Sequence, residues 1–171
     1  MIRGLFARLT GGPKRGEAMY RLAVDEARRP YWFIEGEVPD TVNGRFAVLA
    51  TIVALMTVRL EREGEAGKHA TVALTESLVE SLDVEIREMG LGDPTLGKQV
   101  RRLVGSVSSR VARWKELVGR DRSWTEEVRR SLYLDEGARD EAVAASESAL
   151  RTLWRGLGEA SLEDIADGRI G

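Results

Sequence analysis

An all-α fold, a single-domain bundle of about six to eight helices, is what this 171-residue sequence predicts. Three observations lead there. Apolar residues recur at three- and four-residue spacing along most of the chain, the repeat of one helix face. Period-two alternation of β-branched and aromatic residues is absent apart from the brief run Tyr31 to Ile34. Each periodic stretch is bounded by glycine, proline or a residue able to cap a helix.

Residues 1–13 read as a short N-terminal amphipathic segment. Ile2, Leu5, Phe6 and Leu9 share a face with Arg3 and Arg8 beside it, before the breaker Gly11, Gly12, Pro13. So short a helix is marginal alone in water, so it is expected to dock on the core or a partner; an anionic membrane surface is the other use of such a pattern. Residues 14–171 are expected to form one all-helical domain.

Its first helix, from about Lys14 to Arg28, buries Met19, Tyr20, Leu22, Ala23 and Ala27, and Pro30 ends it. The aromatic run Tyr31, Trp32, Phe33 then leads into a loop closed by Val38, Pro39 and Asp40, with Asp40 or Thr41 as the next cap. From Thr41 to about Glu63 runs the most apolar helix, with Val48, Leu49, Ile52, Val53, Leu55, Met56 and Leu60 on one side and small residues over most of the rest. A helix apolar nearly all round is central. Gly64 and Gly67 are expected to break the chain before His69.

The next helix places Leu74, Leu78, Leu82, Ile86 and Met89 on one face and stops at Gly90, the left-handed closing position. A new start follows at once. Asp93 caps, Pro94 occupies the first turn where a missing N–H costs nothing, and the apolar face resumes at Leu96, Val100, Leu103, Val107, Val111, Trp114 and Val118. Gly90, Gly92, Asp93 and Pro94 thus make a rigid corner between two amphipathic helices. Ser123 to Glu126 reads as a capping box for a short helix containing Leu132 and Tyr133, ended by Gly137. A last long helix carries Ala142, Val143, Ala149, Leu150, Leu153, Trp154 and Leu157, and Ser161 with Asp164 begins a terminal turn.

The corner contains a decoy. Gly92, Gly97 and Lys98 match the G-x-x-x-x-G-K core of a phosphate-binding loop. Such a loop needs a strand before it and a Ser or Thr after the lysine; here a helix precedes, Gln99 follows, and Pro94 removes an amide donor. No cysteine and a single histidine exclude thiol chemistry, disulfides and most histidine-based metal or triad sites. The carboxylates sit at helix-surface spacings, and no Glu-x-x-His motif of a di-iron bundle is present. No catalytic, cofactor or metal site is assigned, and the chain is read as non-enzymatic.

The longest uncharged run, between Arg45 and Arg59, has 13 residues. As a helix it covers about 20 Å against a hydrocarbon core of about 30 Å, so no membrane span is expected. The start shows no secretory signal pattern, which gives a cytoplasmic location as the expectation. Charge is uneven: Asp93 to Arg122 holds eight basic and three acidic residues, Ser123 to Gly171 six basic and eleven acidic. Lys98, Arg102 and Arg113 project from the helix after the corner with Gly105, Ser106 and Ser109 near them, a basic face suited to an acidic partner. RNA ranks below protein for lack of an aromatic stacking platform, and DNA is not expected.

In order and spacing, several motifs resemble the ubiquinol-cytochrome c chaperone family. They are Val38-Pro39-Asp40-Thr41 with Gly44-Arg45-Phe46, Arg59-Leu60 with Glu63-Gly64 and Gly67, Asp83, Arg87-Glu88-Met89-Gly90, Gly92-Asp93, Gly97-Lys98, Arg110 and Leu132-Tyr133. The resemblance implies an all-helical chaperone that binds newly made cytochrome b and helps assemble the ubiquinol-cytochrome c reductase, respiratory complex III. For mitochondrial members it also implies a small partner protein and attachment at the ribosome. It departs at Ala47, where relatives often carry an acidic residue, and at Gly105 to Ser109, where they are bulkier. Arg45, Phe46, Lys98, Arg102, Arg110 and Arg113 are the candidate partner contacts, with Gly44, Met89, Gly90, Gly92, Asp93, Pro94 and Gly97 as structural motif residues. Arg45 and Arg110 are expected to pair within the fold, with a carboxylate such as Asp83, or with a client. A helical adaptor for another membrane-protein client or the ribosome is the alternative, in either case with peripheral contact at the inner membrane.

Overall fold

The computed structural model describes residues 13–90, 93–134 and 137–171. Residues 1–12 and Gly92 lie outside them, and with them the amphipathic segment and one glycine of the corner. The described chain is all-helical: α1 Pro13–Ala27, α2 Tyr31–Ile34, α3 Val42–Leu60, a 3-10 turn Glu61–Glu63, α4 Gly64–Glu88, α5 Asp93–Leu117, α6 Thr125–Leu132, α7 Asp140–Glu159 and α8 Leu162–Ala166.

At the centre lies α3, as its all-round apolarity requires. Every residue from Thr51 to Leu60 is buried, and α1, α4, α5, α6 and α7 all pack on it. By length and composition the helical stretch Val42–Glu88, which includes α3, would pass for a membrane span, against the expectation from its 13-residue uncharged run; 72% of its apolar window is buried inside the protein. Around α3, α1 lies along α4, α7 packs on α6, and α8 closes on α1. Met19, Trp32, Leu74, Leu78, Trp114, Leu150 and Leu157 fill the core. The edge-to-face pair Trp114–Trp124, with centroids 5.1 Å apart, joins α5 to the start of α6.

Several boundaries differ from the sequence expectation, each for a local reason. The aromatic run is one helical turn, not extended chain: Pro30 ends α1 by lacking an N–H, yet its carbonyl accepts from Phe33 and Ile34 at 3.0 Å and so starts α2. Trp32 is pinned beneath, its Nε1 donating to the Glu26 carbonyl at 2.9 Å. Gly64, at φ 63°, breaks the helical run before α4 as expected, but Gly67 does not: it lies inside α4, where a Cβ would come 1.8 Å from the Leu60 carbonyl oxygen and only glycine fits. Met89 leaves the apolar face and is 60% exposed, since α4 ends at Glu88 and Gly90, at φ 78°, bends the chain away.

The capping box before α6 does not form. Ser123 Oγ accepts from the Thr125 N–H at 3.2 Å, and Glu147 of α7 takes over the helix start, accepting from Trp124 N at 3.4 Å and Thr125 Oγ1 at 2.9 Å. Burial pushes the Glu147 carboxyl up, but hydrogen bonds from Arg151, Thr125 and the Trp124 amide outweigh it and hold the group below its usual value. Two other caps follow the sequence. Thr41 Oγ1 accepts from Gly44 N at 3.1 Å, and Ser161 Oγ from Asp164 N at 3.1 Å.

Candidate functional site

The motif residues divide by what they touch. Those of the first kind hold the fold. Arg59, 8% exposed, donates from Nε to the Leu157 carbonyl at 2.9 Å and from Nη2 to the Ala160 carbonyl at 3.0 Å, filling orphan acceptors at the end of α7, while Nη1 pairs with Glu63. Tyr133 donates or accepts through one hydroxyl shared among the Gly36 and Ala142 carbonyls and Ser146 Oγ, which ties α6 to the loop after α2 and to α7.

Arg110 belongs to this kind too. It is 4% exposed, donating to Ser106 on its own helix and, at 2.8 Å, to the carbonyl of Ser131 on α6. Burial, with repulsion from Arg113, lowers its guanidinium to about 10 against the pull of Glu127. Arg113 pairs with Glu127 at 2.8 Å, Ser131 Oγ donates to the same carboxylate, and Trp114 Nε1 donates to Ser131 Oγ at 3.2 Å. One polar network thus stitches α5 to α6. The expected carboxylate partner, Asp83, pairs instead with Arg87 at 2.8 Å. Burial takes Arg110 off the list of partner contacts, and Arg113 is committed within the network.

The second kind lies at the surface. At the start of α3, Gly44 is pressed so close to the loop that a Cβ would meet the Pro39 carbonyl oxygen at 1.9 Å. That contact fixes the loop and presents what flanks it. Arg45 pairs with Asp40 at 2.6 Å rather than with Asp83, holding the Asp40 carboxyl below its usual value, and its guanidinium lies 5.9 Å from the centre of the Phe33 ring. Phe46 is half-buried against the core. Beside this pair in the chain stand Ile34, 69% exposed, and Val42, 75% exposed, the two most exposed large apolar side chains among the described residues. α2 and the first turn of α3, joined by the contact of Arg45 with the Phe33 ring, thus carry an apolar shelf of exposed Ile34 and Val42. Sequence reasoning named Arg45 and Phe46 but missed Ile34 and Val42; the signal available was that Val42 falls off the apolar stripe of α3.

Also at the surface are Lys98 and Arg102, on the outer face of α5; neither makes a hydrogen bond or ion pair with any described residue. Gly97, beside Lys98, is half-buried in the same helix. Pro94 is in its first turn, as is Asp93, which therefore starts the helix rather than preceding it.

Two surface depressions flank α7. One of about 470 Å³ lies between α2, α7 and the chain end, and one of about 710 Å³ is lined by Thr125, Asp140, Glu147, Arg151 and Arg155. In the second, Glu147 is already committed to Arg151, Thr125 and the start of α6.

The comparisons with known proteins agree with this arrangement. The Ubiquinol-cytochrome C chaperone family model matches residues 35–170. The chain is 29% identical over 85 residues to the ubiquinol-cytochrome-c reductase complex assembly factor 1 of Xenopus laevis, a match covering 50% of this chain and 42% of that protein. It thus spans less than half of that relative's length. In fold it is similar to the crystal structure of the Cbp3 homolog from Brucella abortus, with a TM-score of 0.74 at 24% identity over 100% of this chain and 96% of that one. With the family match running through all of the motif segments, the chain belongs to the ubiquinol-cytochrome c chaperone family.

Proposed function

We propose that this protein is a non-enzymatic assembly chaperone that holds newly made cytochrome b while the ubiquinol-cytochrome c reductase complex is built, working at the cytoplasmic face of the inner membrane. The observation that carries the reading is the shelf of Ile34, Phe33, Val42 and Phe46 around Arg45. Val42, Arg45 and Phe46 lie in the family's motif stretch and Ile34 stands just before it, so that stretch and its approach leave in water apolar side chains that a client can cover. A client with long apolar helices supplies the surface to cover them. Family membership and the assembly-factor relative support the role, and the commitment of Glu147 to structural bonds supports the absence of catalysis in the larger depression.

Ile34 and Val42 make no part of the buried core, so charged residues there leave the fold intact. A photo-crosslinker at either position is expected to capture newly made cytochrome b, and Ile34→Asp with Val42→Asp to reduce capture by about tenfold or more, at about 1.4 kcal/mol per decade. Undiminished capture by the folded double variant would remove the shelf from the account.

A further inference from the structure

The outer face of α5 has a character of its own. From Pro94 to Lys115 the helix carries six basic residues and no acidic one. The later ones are used internally: Arg110 and Arg113 in the network with α6, and Lys115 in an ion pair with Glu61 at 2.6 Å. The earlier three, Lys98, Arg101 and Arg102, are exposed, and none makes a hydrogen bond or ion pair with a described residue. Beyond them the exposed positions are Gly105, Ser108, Ser109 and Ala112, followed only near the helix end by Lys115 and Glu116, and Ser108 turns its hydroxyl back to the Val104 carbonyl at 3.1 Å. The face is cationic at one end and flat along its length.

What such a face fits follows from what it lacks. A protein interface needs apolar or aromatic anchors at its centre. None of the exposed large apolar residues of the described chain, Ile34, Val42, Val72, Val84, Met89 and Leu134, lies on α5. Single-stranded RNA needs an aromatic platform for stacking, and the aromatic run Tyr31, Trp32, Phe33 lies on α2, while Trp114 of α5 is wholly buried. A planar anionic surface needs neither. It asks only for unpaired cations that no bulky neighbour holds away from it.

We propose that Lys98, Arg101 and Arg102 on this flat face of α5 dock the chaperone on the anionic phospholipid surface of the membrane into which its client is inserted. The inference rests on the assembly reading above and names the surface that brings the chaperone to its client. Each cation near such a surface contributes attraction that salt screens.

The test uses the full chain and vesicles free of any client. The wild-type protein is expected to co-sediment with vesicles containing phosphatidylglycerol, weakly with phosphatidylcholine alone, and less at high salt. Replacing Lys98, Arg101 and Arg102 by Gln is expected to weaken binding about 100-fold, from about one Lys- or Arg-sized contribution at each position. A control with Arg28, Arg120 and Arg155 replaced by Gln has the same net charge and is expected to bind within about twofold of wild type. Both variants alter exposed side chains only, and circular dichroism confirms the fold. Residues 1–12 are common to all proteins compared, so their own affinity for lipid cancels. Equal loss in the two variants, wild-type binding by the first, or single-stranded RNA captured more tightly than vesicles through the same three residues would each overturn the proposal. Cytochrome b capture at Ile34 and Val42 is read separately, so failure of the lipid docking is distinguished from failure of the assembly reading.

Discussion

Arginines in this chain have opposite fates that their sequence neighbourhoods barely distinguish. Arg59 and Arg110 are buried and serve backbone carbonyls on α7 and α6, whereas Arg45 and Arg102 stay in water. Arg110→Ala is expected to destabilise by about 2–4 kcal/mol, since it strands the carbonyl of buried Ser131 and takes a partner from half-buried Ser106, while Lys98→Ala stays within about 0.5 kcal/mol. Denaturant unfolding of the two variants checks this; comparable costs would mean that Arg110 is not the internal post described. The sequence showed that Arg110 borders an apolar stripe and is expected to find a partner in the fold. It did not show which, because the acceptor is a carbonyl on α6, placed by packing between helices far apart in the chain. Asp83, the nearest plausible carboxylate by sequence logic, is satisfied one turn away by Arg87.

At the scale of elements, the corner after α4 was readable because glycine and proline act within a turn of themselves: Gly90 has positive φ and Pro94 sits in the first turn of α5. Gly67 was misread as a breaker for the complementary reason. Its cause is the Leu60 carbonyl, a contact made only when the turn after α3 folds. Gly67→Ala is therefore expected to cost about 1–3 kcal/mol by overpacking, although alanine is the better helix former; thermal unfolding showing a gain would refute the close approach. Likewise a capping box is a local signal, but Glu147 reaches the start of α6 from α7 and displaces it. The Glu147 carboxyl is held below its ordinary 4.5, so its contribution is present above pH about 4.5 and lost as pH falls through the lowered folded value. Stability of Glu147→Gln is expected to fall less steeply than wild type on acidification in that window. Parallel acid limbs for the two proteins would place the carboxylate elsewhere.

For the whole molecule, fold class was legible because helical periodicity covers nearly the whole chain, and α3 declared itself central by being apolar on every side. The family was legible from motif order, and most of those motifs prove to be fixings of the bundle: Gly44, Arg59, Gly67, Gly90, Arg110 and Tyr133. The surface proposed to meet the client was the least legible part. Exposure is a property of the packed bundle, so Ile34 and Val42 look in the sequence like any other apolar residues. We propose that a scaffold so firmly fixed, with apolar side chains and cations left on its outside, serves to hold a client rather than to carry out chemistry. That claim is tested most directly by the amount of mature ubiquinol-cytochrome c reductase complex in cells lacking the gene. The account predicts a marked loss of the complex, restored by the wild-type protein and not by the folded Ile34→Asp, Val42→Asp variant. An undiminished complex in the deletion strain would contradict it.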